Sequence, residues 1–162
     1  GGERVLDIGT GSGILAIAAL KLGAAKAEGV DIDPMCVRTA GENAALNGVQ
    51  NDLTVLVGDL SEKATGVYDV ICANIVANAI IHLVPNVPAL LAKHGTFLAS
   101  GIIDTRKDEV IAAVQAAGLA LREVKERLGG AGVRPHRAGI TARQAQRRKY
   151  RASRVLNYLP PG

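Results

Sequence analysis

Residues 5–18, VLDIGTGSGILAIA, join an apolar run carrying Asp7, glycines at 9, 11 and 13, and a second apolar run with no breaker. A strand, a glycine turn and a helix in that order bring backbone N–H groups and a helix start to one point. Glycine there supplies positive φ and lets a ligand approach the backbone closely. Two chemistries use such a turn: hydride transfer, with a dinucleotide pyrophosphate seated on it, or methyl transfer from a small cationic cofactor. The dinucleotide fingerprint Gly-x-Gly-x-x-Gly fails from Gly9, where the last position is Ile14. From Gly11 the frame GSGILA fits the weaker form ending in Ala, so the glycines leave both chemistries open.

Polar residues also close the later apolar runs: Asp31-Ile32-Asp33, Gly58-Asp59, Asn74 and Ser100-Gly101. Carboxylates and an amide are a poor lining for a pyrophosphate with two negative charges. They suit a ligand with ribose hydroxyls, a nucleobase amine and a positive centre, all of which need acceptors. Asp33, followed by Pro34, has the plainer reading of a helix cap.

The elements that must position these residues alternate regularly. RVLDI, AEGVDID, LTVLV, YDVICAN, GTFLAS and LALREVKE read as six strands. Between them lie an Ala-rich helix from Gly13 to Leu22, a helix from Pro34 to the LNG at Gly48, a stretch at 76–92 broken by Pro85 and Pro88, and a helix in TRKDEVIAAVQAAG. Continuous apolar strands separated by helices indicate βαβ units and a parallel sheet covered on both faces. Right-handed crossovers make this an α/β, doubly wound, mostly parallel sheet. Ligands in such a fold bind beyond the carboxyl ends of the strands, at the switch point beside the first.

Composition sets the limits. With 48% hydrophobic and 2% aromatic residues, the core is built from Ala, Val, Leu and Ile. No run of eighteen apolar residues exists, so no membrane partner is expected. Cys36 and Cys72 have no CxxC spacing and no clustered histidines, so they read as reduced, mostly buried thiols of a cytoplasmic protein, with no metal. The chain opens on GGERVLDIG without Met and reads as a piece of something longer. The net charge of +4 conceals a split: residues 1–124 hold nine Lys/Arg against fourteen Asp/Glu, a net of −5, and residues 125–162 hold ten against one, a net of +9.

Residues 5–14 resemble the first motif of class I S-adenosylmethionine-dependent methyltransferases, and GVDIDP resembles the second. Residues 7–49, with YDVICANIVANAIIHLVP and LASGI, are similar more narrowly to the ribosomal-protein methyltransferases that modify large-subunit protein eleven. The resemblance covers about residues 3–126 and is most specific in ANI after the fourth strand and SGI after the fifth. It implies S-adenosyl-L-methionine as cofactor, with Gly9, Thr10, Gly11 and Gly13, beside Asp7, against its methionine portion. It further implies Asp31 on the ribose hydroxyls, Asp59 near the adenine and Asn74 as the catalytic residue facing the methyl and the incoming amine. Methyltransferases acting on base nitrogens or glutamine amides carry Asn-Pro-Pro-aromatic at that point. Asn74-Ile75-Val76-Ala77 lacks both prolines and the aromatic, which favours a flexible aliphatic amine over a planar acceptor. His82 and His94 are assigned to a helix surface and a turn.

The function so implied is N-methylation of amino groups, lysine side chains or the N-terminal amine, of a ribosomal protein. The alternatives are a nicotinamide-dependent oxidoreductase and a truncated, non-catalytic cofactor-binding fragment. Residues 1–126 are expected to form the catalytic domain and 127–162 a disordered basic Gly/Arg-rich tail. The family pattern also implies an upstream docking domain, an upstream cofactor contact and an antiparallel seventh strand between strands five and six. Residues 128–162 show no alternation and carry arginines where an apolar strand is due, so a regular seventh strand is not expected and strand six is left as an open edge. A functional reading of the tail is weak contact with ribosomal RNA, since clustered Lys/Arg bind phosphate regardless of sequence.

Overall fold

The computed structural model describes residues 1–127 and 137–144. Seven strands form one sheet: β1 (Arg4–Ile8), β2 (Lys26–Asp31), β3 (Leu53–Val57), β4 (Tyr68–Asn74), β5 (Leu91–Ile103), β6 (Leu119–Arg127) and β7 (Arg137–Gln144). Their order is β3-β2-β1-β4-β5-β7-β6. The strands from β3 to β5 run parallel, and β7 runs antiparallel to both of its neighbours. The doubly wound, mostly parallel α/β sheet is as expected.

Helices α1 (Ile14–Lys21), α2 (Pro34–Leu46), α3 (Ala77–Leu83), α4 (Val87–Leu90) and α5 (Lys107–Ala116) make the crossovers. Each begins or ends where the chain chemistry dictates. Pro34 starts α2 at the position where a missing N–H costs nothing, and Gly23, Gly48 and Gly118 follow α1, α2 and α5 with positive φ. Pro85 and Pro88 split the stretch after β4 into α3, a 3-10 turn (Val84–Asn86) and the single turn of α4. Strand alternation then sorts the side chains. Val5 and Ala27 pack with Ala16 of α1 on one face of the sheet. Leu6, Ile8, Val30, Ile71 and Phe97 meet Ile80 of α3 and Val110 and Val114 of α5 on the other, in the larger cluster.

The seventh strand corrects the expectation for residues 137–144. Ala138, Ile140 and Ala142 are buried in strict alternation, while Arg143 on the opposite face donates from Nε to Thr96 Oγ1 at 3.2 Å. Small residues hid the alternation, and the arginine belongs to the outward phase of a two-residue period. Gln144 closes the strand by donating from Nε2 to the carbonyls of Pro88 and Leu91, both at 2.9 Å. β6 therefore has a partner in β7, and its outer positions Arg122, Glu123 and Lys125 are exposed charges, the usual protection of a sheet edge. The rest of the expected tail, 128–136 and 145–162, lies outside the described residues.

Candidate cofactor and acceptor site

The sheet order reverses at β1, which pairs with β2 on one side and β4 on the other. The chain leaves β1 at Ile8 and must enter α1 within five residues. Gly9, Gly11 and Gly13 accomplish this with φ of 70°, 55° and 81°. At two of them space is also lacking. A Cβ on Gly9 would collide with Cγ2 of Ile75, and one on Gly13 would lie 3.0 Å from Cβ of Ala40 on α2.

Asp7 and Thr10 brace this turn from below. Asp7 Oδ2 accepts from Thr10 Oγ1 at 2.8 Å and from the Ala16 amide at 3.3 Å, while Oδ1 is buried with no hydrogen-bond partner. Burial pushes the Asp7 carboxyl above the usual range, against the pull of those two bonds. Thr10 is itself buried and leans on Gly29 of β2, where a Cβ would come within 2.9 Å of its Oγ1.

Asp31 ties the turn to the second strand. Its Oδ2 accepts from the Gly11 amide at 2.8 Å and its Oδ1 from the Asp33 amide at 3.0 Å. Asp33 is the N-cap of α2, accepting from the Met35 amide at 2.8 Å, so its plainer reading holds. Gly58 donates to the Asp31 carbonyl at 2.9 Å, which brings the end of β3 and Asp59 alongside.

Gly9, Asp31 and Asp59 line one cleft of about 390 Å³, walled also by Ile32, Leu60 and Ile75. Two carboxylates and no cationic side chain face it. Leu60 has φ 43° and is the non-glycine residue with positive φ among the described residues; such backbone outliers gather at ligand sites. Ile32 is 71% exposed at the rim.

Asn74 ends β4 opposite Ser100 of β5, and its Oδ1 accepts from Ser100 Oγ at 3.0 Å. The next residues, Ile75 and Val76, line the cleft, and Val76 also borders a second depression of about 140 Å³ with Asn78, Gly101, Ile103 and Arg106. Val76 thus borders both hollows, and Asn74, two residues before it, lies with its Oδ1 3.1 Å from where a Cβ on Gly101 of the second would stand. Below it, Cys72 pairs in register with Asp7; burial, and then the Asp7 charge, push its thiol up to about 12. Both cysteines are free and half-buried, somewhat less covered than expected.

His82 and His94 are exposed and away from these hollows, His82 Nδ1 lying 2.8 Å from the Asn78 carbonyl. His94 falls in the irregular first part of β5 rather than in a turn. Among the described residues no group of three His, Cys, Asp or Glu could hold a metal ion, and no helix is long and apolar enough to cross a membrane. A hollow of about 310 Å³ near the other end of the strands includes Arg4, Lys26, Asp52 and Tyr68. There Lys26 is engaged with Asp52 at 2.7 Å and Arg4 lies over the Tyr68 ring, while Glu28, which also lines it, keeps Oε1 buried without a hydrogen-bond partner among the described residues.

The eight residues singled out in sequence therefore divide. Gly9, Asp31 and Asp59 line the cleft; Gly11 and Gly13 shape the turn; Asp7 and Thr10 lie beneath it; Asn74 stands beside it. Sequence reasoning missed Ile32, Leu60 and Ile75 as walls and Ser100 as the partner of Asn74. Their signal was adjacency to a polar strand end, which is weak for apolar residues.

The sequence profile of the family described as ribosomal protein L11 methyltransferase (PrmA) matches residues 1–131. The chain belongs to this family. A ribosomal protein L11 methyltransferase of Desulforamulus reducens is 46% identical over 126 residues, covering 78% of this chain and 41% of that protein. One of Symbiobacterium thermophilum is 49% identical over 118 residues, covering 73% and 38%. The chain thus spans about two fifths of the length of these curated relatives. A crystal structure of a ribosomal protein L11 methylase from Lactobacillus delbrueckii subsp. bulgaricus superposes with a TM-score of 0.81 at 32% identity, over 90% of this chain and 72% of that one. A TehB-like SAM-dependent methyltransferase of Corynebacterium glutamicum, at 18% identity and a TM-score of 0.69 over 89% of this chain and 81% of that one, shares the fold. Membership in the ribosomal protein L11 methyltransferase family favours methyl over hydride, the question the glycines left open.

Proposed function

We propose that the cleft between Gly9, Asp31 and Asp59 binds S-adenosyl-L-methionine. On this reading residues 1–126 form the catalytic domain of a cytoplasmic N-methyltransferase acting on amino groups of a ribosomal protein, lysine side chains or the N-terminal amine. The observation that carries it is the lining: two carboxylates, no cation, and a glycine whose missing Cβ lets the backbone pass against Ile75. A dinucleotide would bring its pyrophosphate against like charge there. A cationic ligand with hydroxyl and amine donors meets acceptors instead.

The residues fit that ligand group by group. Each Asp31 oxygen already accepts one backbone N–H and retains capacity for another donor, so the carboxylate takes both ribose hydroxyls. Ile32 and Leu60 offer apolar faces to the adenine and Asp59 an acceptor to its amine. Gly9, Thr10, Gly11 and Gly13 present the backbone of the turn to the methionine portion, with Asp7 holding that turn from beneath. Bound there, S-adenosyl-L-methionine supplies a methyl group on a positively charged sulfur.

The chain's own task is then to orient and desolvate the acceptor. A lysine amine with a pKa of ~10.4 in water has to arrive neutral, and removal from water beside a positive centre favours that form. Asn74 Oδ1 accepts an N–H of the amine and aims its lone pair. The nitrogen would gain the methyl as the methyl–sulfur bond breaks, leaving neutral S-adenosylhomocysteine, and would release a proton to water. Alignment of nucleophile and methyl supplies most of the acceleration, so no side chain needs to act as a general base.

Calorimetry of S-adenosylhomocysteine and, separately, NADH tests the cofactor. The product is expected to bind and NADH to stay silent, with Asp31→Ala weakening binding tenfold or more. NADH binding would overturn the reading. Turnover on a ribosomal protein separates an enzyme from a binding fragment. Contact of the basic residues beyond β7 with ribosomal RNA is a further proposal, supported by five Lys/Arg and no acid in 145–162; RNA affinity that does not fall with salt would count against it.

A further inference from the structure

Two polar ties join the exit of β4 to the exit of β5. Ser100 Oγ donates to Asn74 Oδ1 at 3.0 Å, and Arg106 Nη2 donates to Asn78 Oδ1 at 2.7 Å. Arg106 is itself held by both carboxylate oxygens of Glu109 at 2.8 Å, so it is a fixed anchor and not a swinging charge. Between the ties Gly101 takes φ 84°, and a Cβ there would lie 3.0 Å from the Ile75 carbonyl and 3.1 Å from Asn74 Oδ1. The β5 exit and the 3-10 turn after it therefore meet this segment at Asn74, Ile75 and Asn78. Asn74 is exposed at its strand end, and its side chain accepts from Ser100.

A hydrogen-bond partner restrains the way an exposed asparagine amide turns. The Ser100 hydroxyl, donating to Oδ1, favours the rotamer in which the carbonyl oxygen, with its second lone pair, is held beside Gly101 at the border of the smaller hollow. Without that donor, the amide is free to turn its NH₂ toward the acceptor. An NH₂ group there opposes the N–H bonds of an amine instead of accepting from one.

We propose that Ser100 is a positioning residue that fixes Asn74 with its carbonyl oxygen toward the acceptor amine, while Gly101 and Arg106 keep the 74–78 segment close enough for it to do so. This rests on the S-adenosylmethionine reading of the cleft and adds to it the means by which the acceptor side recognises an amine.

The test uses two ligands that differ at one point. Sinefungin carries an amine-bearing carbon in place of the sulfur of S-adenosylhomocysteine, so its amine occupies the region between sulfur and acceptor. Calorimetry of the full chain with each gives a ratio of affinities that cancels general damage to the cleft. The unaltered chain is expected to prefer sinefungin. Ser100→Ala is expected to lose about fivefold of that preference, the size of one hydrogen bond, with S-adenosylhomocysteine affinity within twofold. Ser100→Thr, which keeps the hydroxyl, restores the ratio, and Gly101→Ala lowers it as Ser100→Ala does. An unchanged ratio in Ser100→Ala, or no preference in the unaltered chain, overturns the positioning role while leaving the cofactor reading intact. Failure of the folded, unaltered chain to bind S-adenosylhomocysteine overturns both.

Discussion

Three aspartates of this chain look alike in sequence and differ in what surrounds them. Asp33 caps a helix, Asp31 ties the glycine turn to β2 and lines the cleft, and Asp7 is buried under the turn. Their substitutions should separate accordingly. Asp33→Ala is expected to cost about 1 kcal/mol of stability in urea melts and to leave S-adenosylhomocysteine binding within twofold, whereas Asp31→Ala affects binding first. Asp7 makes a pH prediction. Its carboxyl is raised by burial, so the native state holds that proton more tightly than the unfolded chain does. The stability it contributes is full below the unfolded pKa and is lost as pH rises through the folded value. Asp7→Asn lacks this loss, so its melting temperature relative to the parent should climb as pH goes from about 3.5 to 7; a constant difference would refute the assignment. The positions of Asp31 and Asn74 were legible because both end apolar runs, and a strand end is a place a sequence pattern can mark. The depth of Asp7 was not, since a residue two before a glycine turn faces either up or down depending on the register of the neighbouring strand.

At the level of elements, β1 to β5 were legible as runs of branched and apolar residues closed by glycine, a carboxylate or, in β4, the amide of Asn74, and β6 as a strand-like run after the Gly118 stop. β7 was not. Among its described side chains RAGITARQ buries Ala138, Ile140 and Ala142, and two of these are small enough that composition reads as polar. What makes it a strand is the slot between β5 and β6, a tertiary fact that overrides weak local preference. Ile140→Ala should therefore cost about 2–4 kcal/mol in denaturant unfolding, while Arg143→Ala, whose side chain makes an exposed bond to Thr96, should cost under about 1 kcal/mol. Equal and small losses would mean that the strand does not hold its observed facing. The end of β5 was also underread. The run GTFLAS marks only its middle, and the strand continues to Ile103 because β7 pairs with its final residues.

The molecule as a whole is organised around β1 and β4, the strands flanking the reversal in sheet order. Cys72 lies in β4 against Asp7, with its thiol raised to about 12 from an ordinary 9.0. Three units leave roughly a thousandfold less thiolate than in the unfolded chain. Alkylation at pH 8 should therefore spare Cys72 in the native protein and follow the unfolded population through a denaturant series. Rapid labelling of Cys72 without unfolding would show that the middle of the sheet opens locally. The same sheet imposes an order in time. β5 and β6 are joined through α5 and are both made before β7, yet they pair with β7 and not with each other. While a ribosome is still translating residues 137–144, the two earlier strands have to be kept a strand's width apart, close enough to receive the latecomer and unable to zip together. Two of the six strand pairings, β5 with β7 and β7 with β6, form only after residues 137–144 have left the exit tunnel, and until then Phe97 and Val124 lack the chain that will separate their strands.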